Sequence, residues 1–573
     1  MILRRNLSAS TLILLCHLRI TAEASPYVLH RRASFVSAFH RNGAQDCIVH
    51  SNRARCSIRR CFRLVLPLYL SRAPPSTSST NCDHLQITTQ VTPARLDANG
   101  DIQNDEEQIQ QILTGRHKWL GGAVDNAGDG SVYGIPSHSQ HVICLSPPQN
   151  NHDSSNNSTY QVHMLPLPTS LSGKSDNGKK NQFKWLRGII VGETLFGIPS
   201  WSTSGVLKVD IGAWRRWREN NPTKRIVTDV RCSQQFVSVL PLPEEGSEKS
   251  DKQATTTSRR WMWHGAALNQ NATAIYCIPS NAKQVLKVDL TTMTTSYISI
   301  PPSTLCNPKE HANLLEHTNK WYGGILGRDN AIYGIPYAAS SVLRINANDD
   351  TASLLGDYGS NMYNWHGGVL AKNGAIYAFP AHAEEVLKID TMPNIEEQNR
   401  LMLLPIQRAE YDVDGVRRYK WLGGSLGADG NVYGMPSDAT SVLRINIEND
   451  EVNTFGYVKS SCDNGETGGG YLEKNKWQGG VLGKDGFVYA VPSNARGVLR
   501  IDTRATTPNH SLDPSRVACI GDLPEMKDKW QGGFLVRRGA IYGIPENSNR
   551  ILELLPPFCD DGEHGGEVVV QML

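Results

Sequence analysis

Residues 476–502 read KWQGGVLGKDGFVYAVPSNARGVLRID. Gly479 to Gly483 forms a short apolar run, and Asp485-Gly486 after it is a hairpin dipeptide. Phe487 to Val491 is a second run, ended by Pro492-Ser493-Asn494-Ala495-Arg496, a loop no central strand could contain because proline lacks the ladder donor. Val498 to Ile501 is a third, with Arg500 among apolar residues. Nothing here has a helical period, so the stretch predicts three short antiparallel strands.

The same unit occurs eight times after residue 117. Its tryptophans are Trp119, Trp185, Trp263, Trp321, Trp365, Trp421, Trp477 and Trp530, spaced 44 to 78 residues apart. Within the unit the ruler is tighter. An aromatic residue precedes the loop proline by three in every copy, from Tyr133/Pro136 to Tyr542/Pro545, with Phe196/Pro199 the one phenylalanine. Length variation thus falls between units, where structural repeats accept it. A fourth β-rich run follows most third strands, as at Val452 to Tyr457. Four short strands repeated eight times predict an all-β fold, an eight-bladed β-propeller of four-stranded antiparallel blades over 118–573. Gly-Gly lets inner strands crowd an axis, and Trp and Tyr supply flat area between blades. The C-terminal run Glu567 to Leu573 is expected to complete the last blade, with Leu85 to Val91 the rival closing strand.

The units resemble propeller repeats of the broad kelch, NHL and streptogramin-lyase-like superfamilies, over about 118–573. Trp precedes Gly-Gly in Trp477-Gln478-Gly479-Gly480, whereas kelch repeats place a Trp after the Tyr. The rhythm Asp485-Gly486-Phe487-Val488-Tyr489 … Leu499-Arg500-Ile501-Asp502 is more similar to lyase-like and NHL propellers. The lyase's catalytic residues match no motif of this chain, so the resemblance implies a fold and not an activity.

Charge separates the front of the chain from its body. Residues 1–82 carry 12 Arg, no Lys and two acids, a net +10, and the remainder carries −7. Arg4-Arg5, the Leu-rich run Leu7 to Leu15 and Ala22-Glu23-Ala24 read as a signal peptide over 1–24, which favours a secreted or lumenal protein; an organelle transit peptide is the alternative. Residues 25–117 show no steady period and are expected to be mostly disordered linker or pro-segment. No apolar run reaches transmembrane length, and the near-neutral balance of +3 gives no nucleic-acid footprint. Sequons at Asn156, Asn157, Asn271 and Asn509 permit a glycoprotein. There is no CxxC, P-loop, G-x-S-x-G or H-E-x-x-H, so neither a metal nor a cofactor is expected.

Candidate site residues come from positions beside the repeated Trp. Lys precedes it in six copies, Lys118, Lys184, Lys320, Lys420, Lys476 and Lys529; Met262 and Asn364 stand in the other two. If the Gly-Gly strand is innermost, these six ammonium groups surround one mouth and attract an anionic ligand. The rival reading lays each Lys over its Trp, solvated at the tip. His264 and His366 follow the Trp in two copies, and Arg187 replaces the first Gly in one. The acidic turn Cys559 to His564 lacks calcium-loop spacing. Two functions fit. One is a binding or scaffold module holding an anionic, glycan or peptide ligand, with protein or carbohydrate as partner; the other is a lyase, lactonase or oxidoreductase with an axial site. Inner-strand positions are mostly Gly, Ala and aliphatic, which favours binding over catalysis.

Overall fold

The computed structural model describes residues 101–147, 160–171, 183–201, 205–244, 261–302, 315–359, 363–408, 418–458, 474–504, 512–557 and 568–573. Leu85 to Val91, the segment 1–100, the sequons at Asn156, Asn157 and Asn509 and the acidic turn lie outside them. Within them are 32 strands, taken four at a time in chain order. The first blade is Trp119–Val124, Val132–Pro136, His141–Ser146 and Gln161–Pro166, a simple antiparallel meander. The last is Trp530–Leu535, Ile541–Pro545, Leu552–Leu555 and Val569–Met572. Hydrogen bonding gathers the strands into seven sheets, because the fifth and sixth four-stranded units merge through a two-residue parallel pairing, Ile406 with Val452 and Gln407 with Asn453. Counted as four-stranded units, there are eight.

Closure into a ring is visible at every seam. The backbone N–H just before each repeated Trp donates to a carbonyl just after the loop proline of the preceding blade. Examples are Lys184 to Ser137 at 3.3 Å, Asn364 to Tyr337 at 2.7 Å and, from first blade to last, Lys118 to Glu546 at 3.1 Å. The core is divided the same way. The Tyr of one blade and the Trp of the next share a hydrophobic cluster, as Tyr276 with Trp321, Tyr489 with Trp530 and Tyr542 with Trp119. A lone four-stranded sheet would leave both faces wet; eight in a ring cover each other and keep only short edges. Each repeated Trp is at most 2% exposed. Its indole N–H donates to the carbonyl heading the third strand, Trp321 to Ser341 at 2.7 Å and Trp477 to Gly497 at 2.9 Å.

The C-terminal run closes the last blade as expected: Val569–Met572 pairs with Leu552–Leu555. Three helices were not foreseen. Helix α1, Asp101–Leu113, falls where linker was expected, and buries Ile109 and Leu113 in the cluster shared by the first and last blades. Helices α2, Ile211–Asn220, and α3, Val230–Phe236, are an insertion before the second blade's outer strand, Val237–Leu240. Arg218 of α2 reaches Asp129 of the first blade at 3.1 Å, so the insertion ties two blades. No helix among the described residues is long and apolar enough to cross a membrane.

Candidate functional site at the ring mouth and axis

In each blade the repeated Trp pairs with the loop proline, Trp321 with Pro336 for example. The residues before the Trp and after the proline therefore share one mouth. The six lysines are there, but not as an open ring. All are buried, from 0% exposed at Lys320 to 8% at Lys476. Their ammonium groups donate to backbone carbonyls, mostly of the preceding blade: Lys118 to Glu546 and Ser548 (both 2.8 Å), Lys184 to Ser139 (3.0 Å), Lys420 to Ala383 (2.7 Å), Lys476 to Ala439 (3.0 Å) and Lys529 to Ala495 (2.8 Å). Lys320 reaches His317 at 3.0 Å. Lys118, Lys320 and Lys529 also lie about 6 Å from their own indole centroids. Both sequence expectations, an anion ring and solvated tips, give way to inter-blade clamps: a loop ending in unpaired carbonyls gains more from a buried donor than the lysine does from water. Desolvation pulls Lys184 and Lys320 down to about 7, and Lys118 and Lys529 to about 8.

Two residues before the Trp is a column that the sequence reading passed over. It holds His117, Phe183, Trp261, Asn319, Tyr363, Tyr419, Asn475 and Asp528, and all eight have positive φ, from 50° to 70°. Residue type varies while backbone conformation does not. In four blades its N–H is capped by an Asn or Asp oxygen two residues past the preceding blade's proline: Asn547 to His117, Asn281 to Asn319, Asp438 to Asn475 and Asn494 to Asp528, at 2.6 to 2.9 Å. Elsewhere rings meet instead, His138 with Phe183 at 4.3 Å and His382 with Tyr419 at 4.8 Å. The signal that could have found this column was its fixed place beside Lys-Trp, with five aromatic or imidazole rings in eight copies.

The axis itself is lined by the residue two after the Trp, again at positive φ in all eight blades: seven glycines and Arg187, at φ 61°. A Cβ on Gly265 would sit 2.9 Å from the Cα of Gly323 in the next blade, so glycine is required where inner strands crowd. Arg187 breaks that rule. Its pKa is lowered by desolvation, and it acts electrostatically on His264 and His366 of the third and fifth blades. Tyr322 of the fourth blade in turn acts on Arg187. Arg187 is exposed and has no hydrogen-bond or ion-pair partner among the described residues. Nδ1 of His264 and of His366 likewise bonds to no other residue. Desolvation, then the Arg187 charge, pushes His366 down to about 4 and His264 well below its usual value, so both rings are neutral at pH 7. The structure thus brings His264 and His366 together around Tyr322, at 3.8 and 5.0 Å, places Arg187 within electrostatic reach of both imidazoles, and sets the six lysines apart from them.

Rings continue outward from this point. His264 stacks on Tyr322 at 3.8 Å, Tyr322 on Tyr337 at 4.2 Å and Tyr337 on Tyr363 at 4.5 Å. On the other side His264 is 6.2 Å from Trp261, which is 5.1 Å from Phe183. At the seam of last and first blades the mouth opens into a cavity of about 820 Å³, lined by His117, Asn494, Glu525, Asp528 and Asn547 among others. Glu546, 4% exposed, accepts from Gln531 at 2.7 Å and pairs with His117 Nδ1 at 2.6 Å. The hydrogen bond to Glu546 raises the His117 pKa. No group of three or more His, Cys, Asp or Glu among the described residues could hold a metal ion.

No family model matches the chain, and no curated protein does. Among solved structures, a streptogramin B lyase is similar at 13% identity, covering 66% of this chain and 91% of its own, with a TM-score of 0.39. Hydrazine synthase of Kuenenia stuttgartiensis is similar at 11%, covering 77% and 97%, TM-score 0.36. A gluconolactonase of Xanthomonas campestris is similar at 14%, covering 50% and 84%, TM-score 0.29. The propeller assignment rests on the strand pairing and the eight seams.

Proposed function

We propose that this propeller is a binding module whose axial channel seats an acidic group on Arg187. The observation that supports it is one substitution within the repeat. Where seven blades carry glycine, the second projects a guanidinium without a partner into the axis, at a left-handed φ that a non-glycine residue adopts at a cost of roughly 1–2 kcal/mol. An accessible guanidinium with no partner of its own is free to make charge-assisted, bidentate hydrogen bonds to an incoming anion. Tyr322, His264 and His366 shape the seat without competing for the guanidinium, because the imidazoles are neutral at pH 7. The signal-like start of the chain and the disulfide-bonded Cys519 support a secreted or lumenal setting.

The test is titration calorimetry with phosphate, sulfate and benzoate on the full chain and on Arg187→Gly. Glycine fits this position in seven other blades, so the variant keeps the ring. Saturable binding that weakens about tenfold or more in the variant is the expected result; equal affinity in both proteins would sink the seat.

A further inference from the structure

We infer that the ligand seated on Arg187 is an acidic oligosaccharide: a short sugar chain with one acid group at its end, lying along the aromatic track from the axis to the seam cavity. This rests on the reading of Arg187 as an anion seat and specifies the rest of the ligand.

The track is continuous. His117, in the cavity wall, is 5.5 Å from Phe183; Phe183 leads to Trp261, and Trp261 to His264, which feels Arg187 directly. Phe183, Trp261 and Tyr322 are half-buried, so none of the three residues is wholly covered by its neighbours. An aromatic face in water takes the C–H face of a pyranose, which is apolar on its faces and polar around its edge. The far end of the track is different in kind. Glu525 and Asp528 line the cavity beside Arg116 and Lys527, so acceptors and donors of both signs face the hydroxyl groups of a sugar there. A purely aromatic acid would satisfy Arg187 and the rings but bring no donors for those carboxylates. At about 820 Å³ the cavity is of the size that holds small ligands.

The test measures binding of phosphate, glucuronate, a glucuronate-ended tetrasaccharide and its neutral counterpart. The proteins are the full chain, Arg187→Gly, Trp261→Asn and Asp528→Asn. Asn already occupies the column of Trp261 and Asp528, at Asn319 and Asn475, in the same left-handed conformation, so both variants keep the fold. The acidic tetrasaccharide should bind about tenfold more tightly than glucuronate. Trp261→Asn and Asp528→Asn should remove that advantage and leave glucuronate within about twofold, whereas Arg187→Gly should weaken both acids alike. If the tetrasaccharide gains nothing over glucuronate, or if neither sugar acid binds a protein that still binds phosphate, the saccharide proposal is overturned and the anion seat stands. If Arg187→Gly leaves phosphate and both acids unchanged, the seat itself falls.

Discussion

Two columns of residues circle the mouth, one at the repeated Trp and one two positions upstream, and they behave oppositely. In the first, all eight blades agree on side chain, because each indole fills a seam and donates one buried hydrogen bond. In the second they agree only on backbone, eight positive φ values, and the side chains run from Asp528 to Trp261. Packing fixes chemistry where blades touch; where only a turn must be made, chemistry is free to differ from blade to blade. The second column is therefore where a ring of repeats can acquire a specific ligand.

The comparison can be broken most forcefully at the first column. Trp321→Ala should cost about 3–5 kcal/mol in denaturant unfolding, since it empties a seam and orphans the Ser341 carbonyl. A loss near that expected upstream would erase the distinction. Next are the lysine clamps. Lys184 and Lys320 sit at about 7 when folded against an ordinary 10.5. Between those values the unfolded chain holds a proton the folded chain does not, so stability should rise as pH goes from 7 to 9 and fall on return. Lys320→Met should cost about 1–3 kcal/mol at pH 9, and the gap to the parent should narrow toward pH 7, read as melting temperature against pH. A smaller effect of opposite sign is expected at the axis. Arg187→Gly should stabilise the ring by about 1 kcal/mol, relieving an arginine held in the left-handed region. Least of all, Trp261→Asn should shift stability by under about 0.5 kcal/mol.

The blades were legible in the sequence because their signals are local: Trp before Gly-Gly, a hairpin dipeptide, Tyr three residues before Pro. Arg187, His264 and His366 stood out as departures from that pattern, and the structure places Arg187 within electrostatic reach of both imidazoles. The lysines were legible in position but not in role. Their acceptors, such as Ala383 for Lys420 and Ala495 for Lys529, belong to the preceding blade some 34 to 37 residues away, and no spacing rule reveals that a charge will be buried against carbonyls. Helix α1 escaped because what holds it is remote in sequence: Asp105 accepts from the backbone N–H of Arg225, and Ile109 and Leu113 share a cluster with Tyr542 and Ile551 of the last blade.

Each blade takes its four strands from one continuous stretch, the first from Trp119 to Pro166 and the last from Trp530 to Met572. Among the described residues no strand from one terminus completes the blade of the other, so the ring is a necklace with a clasp, fastened where the last blade meets the first by Lys118, His117 and Glu546 and backed by α1. Moving the chain ends to another inter-blade loop would divide no blade. The clasp is also the joint that holds the mouth's cavity. Whatever fills that cavity binds the closed ring better than the open one, and so draws the necklace shut.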